Sequence, residues 1–419
     1  MPSRDMGVPR LGGNTFKFKE EQGDGVYSLV DESTRRNEQP SINGVEITFE
    51  DPTVYAKVQG EMVGTVSVLD LNFQWGEGTY VKMAGIAGVH TDERLRRRGI
   101  ASRMMNKAKR LIVERGYSCS SVSTGSFNFA RRLYRKSGYV TLFFLDDTVK
   151  QIQKPIPRPR KRRNFTLRSY EEGDEEAFVR IFQECYGGFF GPRRKTTERW
   201  KEAREETLKA DPESVTVAEV DGEIQGWAEY YKHWGAFATE LRVSSCKDRT
   251  AIAEALLSNL EEHLLSKGIS EARFLTSPHD HFLRPFLEER GYAIRPYRVF
   301  MLSIIDLPKL ITLLKPLLDR RLDKEPPWRG NIRLKTASQS CILTVSDGIS
   351  LMESSQNVDL EVVTSDIELT RILSGVLDPL EAYLEASLDV KPSLTEATNT
   401  TLRKLFPLVP YFHPREDWV

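Results

Sequence analysis

Between Gly85 and Tyr139 the chain reads as strand, turn, helix, strand and helix, and the turn Arg96-Arg97-Arg98-Gly99-Ile100-Ala101 at its centre constrains everything around it. Gly99 removes the side chain where a ligand must approach the backbone, and the helix that follows aims its free N–H groups at the same spot. That helix is legible from Ile100, Met104, Ala108, Leu111 and Ile112 at three- and four-residue spacing, with Gly116 as its stop and Lys107, Lys109, Arg110 and Arg115 on the other face. A pyrophosphate at such a helix start meets oriented donors, the positive end of the dipole and the charge of Arg97 and Arg98. The same residues also read as a solvated basic turn before an ordinary amphipathic helix, and a short glycine motif alone does not separate the two.

Upstream, the spacing predicts a strand near Phe16 to Lys19, a helix from about Asp24, and a hairpin of Val54–Val58 and Met62–Val68 around Gln59-Gly60-Glu61, with apolar residues alternating on both arms. The hairpin recurs: Val220-Asp221-Gly222-Glu223-Ile224-Gln225-Gly226 repeats its Val-x-Gly-Glu-x-x-Gly spacing 162 positions on. Ile252, Leu256, Leu260 and Leu264 then form a helix ending at Gly268, the counterpart of the one ending at Gly116, and Phe286 to Tyr292 parallels Leu133 to Tyr139. A duplicated domain follows from these matches. The second copy has lost the chemistry. Ser245 to Ala251 contains no glycine, and Leu287 stands where the first copy has Tyr134.

Between the copies, Lys150 to Arg163 carries seven basic residues, three prolines and no acid, the composition of an extended, semi-rigid linker. A nucleic-acid patch or nuclear signal is the other reading, though the run lacks interleaved aromatics and a recognition fold. Over the whole chain of 419 residues, 60 basic and 60 acidic residues cancel, which argues against a protein built mainly to bind nucleic acid or an anionic membrane. No stretch of about eighteen apolar residues and no signal-peptide core is present, so a cytoplasmic protein is expected. Cys119, Cys185, Cys246 and Cys341 are too scattered for a disulfide framework or zinc site. His279-Asp280-His281 is the nearest approach to a metal pattern, the alternative being a capping turn before a helix near Leu283, and no metal is expected.

After Asp306 the pattern changes to a Leu-rich helix through Leu318, strands near Ile332–Thr336, Cys341–Val345, Ile349–Met352 and Val358–Val363, a helix capped at Ser365 and closing at Gly375, and helices around Leu380–Leu388 and Leu394–Leu405. This is a third, α+β domain. The expected organisation is a catalytic domain over 1–149, a linker over 150–164, a degenerate copy over 165–305 and a last domain over 306–419.

The central segment resembles the GCN5-related N-acetyltransferases (GNAT), whose loop (Arg/Gln)-x-x-Gly-x-(Gly/Ala) is filled here by Arg96, Gly99 and Ala101. Their second helix pattern is matched by Ala130, Leu133, Tyr134, Gly138 and Tyr139. Many members carry Asn seven positions before the Tyr. Here that position is Phe127, with Asn128 one place later. Two tandem GNAT folds, the second degenerate, followed by a sterol-carrier-protein-2-like α+β domain, resemble the enhanced intracellular survival (Eis) acetyltransferases.

The resemblance implies an α/β and α+β multidomain enzyme that moves an acetyl group from acetyl-CoA to an amine by direct attack in a ternary complex. Its cofactor site comprises Val89, His90, Thr91, Arg96, Arg97, Arg98, Gly99, Ile100, Ala101, Ser102 and Asn128. Tyr134 is the acid that protonates the CoA thiolate, matched to that task by an unperturbed pKa of about 10. Val419 supplies its terminal carboxylate as base, although the family usually ends in an aromatic. The acceptor is a small amine or a protein lysine, and the assembly is a homo-oligomer, up to a hexamer. The same folds without catalysis make a CoA-sensing or lipid-binding adaptor. A tandem acetyltransferase of small-thiol biosynthesis is the nearer enzymatic alternative, with no place for the region after Asp306. Removing the last two residues is expected to leave the fold intact, because a chain end rarely anchors a core.

Overall fold

A computed structural model describes residues 16–20, 27–31, 44–157, 165–233, 236–322, 326–352 and 357–418. They fall into two compact units, one of residues up to Ser67 with Gly88–Ala108, the other of Val68–Ala87 with everything from Lys109 on.

In the first unit, β1 (Phe16–Glu20) and β2 (Tyr27–Asp31) form an antiparallel pair. The helix expected from about Asp24 is therefore corrected: Tyr27-Ser28-Leu29-Val30 is rich in residues that suit a strand, and it has one to pair with. β3 (Val45–Glu50) and β4 (Thr53–Val58) lead into β5 (Glu61–Gly76), and β4 pairs with β5 from Thr53↔Ser67 to Val58↔Glu61. Gln59 (φ 52°) and Gly60 (φ 83°) make the turn, both left-handed as the twist of a two-residue hairpin demands. β6 (Thr79–Thr91) ends in this unit, and α1 (Ile100–Glu114) begins in it.

The second unit continues through β7 (Cys119–Gly125), α2 (Ala130–Lys136), β8 (Val140–Gln151), β9 (Thr166–Ser169), α3 (Glu175–Tyr186), β10 (Phe190–Arg193) and α4 (Thr197–Ala210). The repeat follows as β11 (Val215–Val220), β12 (Glu223–His233), β13 (Ala236–Val243), α5 (Arg249–Ser266), β14 (Glu271–Thr276), α6 (Leu283–Glu288) and β15 (Ala293–Ile304). Asp221 (φ 49°) and Gly222 (φ 84°) reproduce the hairpin turn of the first copy. The copies interleave: β15 lies antiparallel between β7 and β8, and β8 continues the sheet to β14. The expected linker starts later than residue 150. Lys150 and Gln151 belong to β8, Ile152 is buried in the repeat's core, and the Ile156 amide donates to Glu261 at 2.7 Å. The basic run Arg158 to Arg163 lies outside the described residues.

The remainder comprises α7 (Leu307–Arg321), β16 (Gly330–Lys335), β17 (Ser340–Val345), β18 (Ile349–Met352), β19 (Leu360–Thr364), α8 (Asp366–Leu373), α9 (Pro379–Leu384), β20 (Leu388–Lys391) and α10 (Glu396–Leu405). Its sheet runs β18-β17-β16-β19-β20, with β16 parallel to β19. The helix expected through Leu388 stops at Leu384. Ala386 turns left-handed (φ 55°), and Leu388 and Val390 alternate into the core as β20. This sheet shares one continuous core with Leu71, Phe73 and Trp75 of β5, α7 and the residues after α10. Trp75 donates its indole N–H to the Leu373 carbonyl at 2.7 Å, so the last region is welded to the strands before it.

Candidate functional site

In the first unit, Val89, His90 and Thr91 close β6, and Asp92 receives the Arg94 amide at 3.0 Å in a short 3-10 turn, Glu93–Leu95. Arg96 is tethered from two sides, donating to the Thr91 carbonyl at 3.2 Å and pairing with Glu93 at 2.9 Å. The chain then turns through two left-handed residues, Arg97 (φ 63°) and Gly99 (φ 78°), and the first helical bond runs from the Arg103 amide to the Gly99 carbonyl at 3.1 Å. A Cβ built on Gly99 meets no atom within 4 Å, so the space before it is open. Among the described residues no acceptor takes the N–H groups of Gly99, Ile100, Ala101 or Ser102. Arg96, Arg97, Gly99 and Ser102 are exposed, while Ile100, Met104 and Ala108 are buried and fix the helix behind them. Gly64 permits the close approach: a Cβ there would lie 2.9 Å from the His90 carbonyl and 2.8 Å from Met104. The turn is thus a rigid, solvent-facing cradle of unclaimed donors at a helix start, with cations at its rim.

The equivalent turn of the repeat is closed on itself. The Ser245 amide donates to Glu184 at 2.6 Å and the Cys246 amide to the Ser244 carbonyl at 2.9 Å. Arg249 is spent on the Val243 carbonyl at 3.2 Å and on the ring of Phe282, 3.8 Å from its centroid. The Glu184 carboxylate thus takes a donor of this turn, four residues before α5 begins. Leu287, the counterpart of Tyr134, is fully buried.

Tyr134 and Asn128 belong to the second unit. Asn128 Oδ1 accepts from the Ala130 amide at 2.9 Å, which commits it to starting α2, and it sits between the exposed rings of Phe127 and Phe129. Tyr134 is 4 % exposed, its ring edge-on to Tyr139 at 6.3 Å, and its hydroxyl has no hydrogen-bond partner among the described residues. Burial pushes its pKa up to about 12, against the pull of the Arg298 guanidinium, so the expectation of an unperturbed phenol is corrected.

The chain end was the least legible part in sequence. Tyr411 and Phe412 pass beside Phe190, whose amide donates to the Pro410 carbonyl at 2.8 Å and whose carbonyl accepts from the Phe412 amide at 2.9 Å. Arg415 then donates to Asp147 at 2.6 Å, Glu416 binds Lys195 and Arg204, and Asp417 accepts from the Arg193 amide at 2.7 Å and Arg199 at 3.0 Å. Trp418 is buried, and the expectation that the last two residues anchor nothing is corrected for it. Val419 lies outside the described residues. The tail's polar groups pair with partners far away in sequence, and no local pattern announces them. Asp280 receives the Phe282 and Leu283 amides at 3.1 and 2.7 Å, so the His279-Asp280-His281 segment is a capping turn. No cluster of metal ligands occurs among the described residues.

Residues 16–141 match the model of an acetyltransferase (GNAT) domain, and residues 175–292 match that of the acetyltransferase (GNAT) family. No curated protein matches the chain. Among solved structures, the chain is similar to a GCN5-related N-acetyltransferase from Kribbella flavida, at 18% identity and a TM-score of 0.59 over 86% of this chain and 87% of that one. A conserved protein from Enterococcus faecalis V583, described as a probable N-acyltransferase, gives 14% identity and 0.61 over 86% and 87%. Eis1 from Mycobacterium abscessus gives 16% and 0.51 over 87% and 91%. At these identities the likeness is one of fold.

Proposed function

For a chain that carries two GNAT acetyltransferase domains in tandem, we propose an N-acetyltransferase whose chemistry belongs to the first domain alone. Acetyl-CoA, the acetyl donor of GNAT enzymes, is held through its pyrophosphate at the turn Arg96 to Ser102, with the backbone around Val89 to Thr91 pairing with the pantetheine arm. The amine attacks the thioester carbonyl directly, the C–S bond breaks, and Tyr134 gives its proton to the departing thiolate. The terminal carboxylate of Val419 takes the proton the amine loses. Asn128 keeps only its NH2 group for the cofactor. The observation that carries the reading is the open, left-handed Gly99 with four unclaimed N–H groups at the start of α1.

The repeat serves as scaffold, supported by the Glu184 carboxylate at its own turn and by Leu287 in place of a phenol. The five-stranded sheet after α7 is the sterol-carrier-like element of an Eis-type homo-oligomer, a reading that rests on its order and its helices.

Calorimetry with CoA, followed by acetyl transfer from acetyl-CoA to simple amines, tests the proposal. One CoA per chain, with CoA thiol released in step with the acetylated amine, is expected. Two equivalents of CoA would assign the repeat a site of its own. CoA binding without transfer to any amine would leave only a sensor.

A further inference from the structure

A cavity of about 370 Å³ in the second unit is lined by Asp70, Lys82, Arg193, Arg194, Thr196 and Arg199, brought together from β5, β6, the end of β10 and the start of α4. Its charges do not cancel. Lys82 pairs with Asp70 at 2.9 Å and Arg199 with Asp417 at 3.0 Å, but among the described residues no carboxylate lies within salt-bridge distance of Arg193 or Arg194. The Arg194 guanidinium lies over the Tyr80 ring, 5.1 Å from its centroid, and its N–H groups have no carboxylate among the described residues to donate to. Arg193 is half-buried, and burial, together with Arg199 nearby, pulls its pKa below the usual value against the opposing pull of the Asp417 carboxylate. A part-buried cation with no carboxylate in contact costs free energy that an incoming anion would relieve.

The cavity also has a small neighbour on the side of Arg298. Leu71 belongs both to its wall and to that of a narrow void, about 10 Å³ and room for scarcely one water, bounded by Ser121, Ser123, His413 and Asp417. Asp417 is the carboxylate that Arg199 and the Arg193 amide hold. Arg298, the cation that acts on Tyr134, donates to the carbonyl of Ser123, another lining residue of the void, at 3.2 Å.

We propose that this cavity selects the acceptor, and that the acceptor is an amine carrying a carboxylate or phosphate at its other end, seated on Arg193 and Arg194. The proposal rests on the acetyltransferase reading. A polycationic amine is repelled by the same two guanidinium groups, whereas an anion forms charge-assisted, bidentate hydrogen bonds with them.

The test compares four acceptors of similar length: 4-aminobutyrate, 3-aminopropylphosphonate, 4-amino-1-butanol and 1,4-diaminobutane. At least one acid should exceed the alcohol in kcat/KM by roughly tenfold or more, the usual worth of a charged hydrogen bond, with the diamine lowest. Which acid leads tells carboxylate from phosphate. In Arg194→Gln, and separately in Arg193→Gln, the ratio of acid to alcohol should fall toward one. An alcohol or diamine used as well as the acids by the wild type overturns the proposal, as does a ratio unchanged in both variants. If no amine is acetylated, the acetyltransferase reading fails first, and inorganic phosphate then judges the cavity alone. A rise in Tm for the wild type that Arg194→Gln loses supports the anion site, and equal rises overturn it.

Discussion

The guanidinium of Arg298 lies 4.0 Å over the indole ring of Trp418. Arg298 comes from β15, the strand the repeat inserts between β7 and β8, and Trp418 is next to the last residue of the chain. Tyr297 packs on the same indole at 5.4 Å, and Arg415 approaches it at 5.0 Å. The charge that draws the Tyr134 pKa back down is therefore held in place by the repeat and by the chain end together. The repeat, proposed as scaffold, thereby shapes the proposed acid.

Gly99→Asp should abolish CoA binding with the fold retained. Its Cβ meets nothing in the protein, so the loss comes from a carboxylate facing the pyrophosphate and from a left-handed backbone that only glycine adopts freely. Gly99→Ala isolates the backbone effect and should cost about 1 kcal/mol of binding or stability. Calorimetry with CoA measures both, and unchanged affinity in Gly99→Asp would remove the cradle from the mechanism.

Tyr134→Phe should bind CoA normally and turn over roughly two to four decades more slowly. Because burial raises this phenol to about 12, it stays protonated through the whole working range, and the alkaline fall in kcat expected of an ordinary tyrosine near pH 10 should be missing. A wild-type pH–rate profile that falls at pH 10 and is flat in the variant would show that the buried value is wrong.

Truncation should separate two roles of the tail. Removing Val419 alone should leave Tm nearly unchanged while depressing turnover at neutral pH, the deficit narrowing toward alkaline pH as the amine loses its proton unaided. Removing Trp418 as well takes out a buried indole and should lower stability by roughly 3–5 kcal/mol, the scale of a deleted core aromatic. Wild-type kinetics after loss of Val419 would end its assignment as base without touching the packing argument.

His413 should make the fold acid-sensitive. Its ring is buried between Phe73 and Phe300, at 5.3 and 5.0 Å, and burial lowers its pKa to about 4, with Asp417 opposing and Arg298 and Arg193 adding to the fall. A depressed folded value means that its contribution is complete above about pH 6.5 and lost as pH falls through 4. Asp147, raised to about 6 by burial despite Arg415 and Arg273, works the other way, favouring the fold as pH drops. Thermal melts of wild type and His413→Gln between pH 4.5 and 8 separate the two, and the variant should lose less stability over that interval. Parallel curves would remove His413 from the acid response.

Residue order by itself determined the turn at Gly99, the two hairpins, the helix stops at Gly116 and Gly268 and the existence of the repeat. Each is built from backbone conformations and apolar spacings spanning fewer than about twenty residues, the repeat being the same local patterns met a second time. It misjudged Tyr27–Asp31 and Leu388–Lys391, where pairing with another strand decided the conformation. Only the tertiary structure decided that β15 enters the first copy's sheet, that Tyr134 is buried, and that Arg193 and Arg194 meet Asp70 and Lys82 across more than a hundred positions. These arrangements come from burying one shared core and from pairing charges that no local pattern links. A cavity's net charge is a sum over residues that become neighbours only once that core has closed.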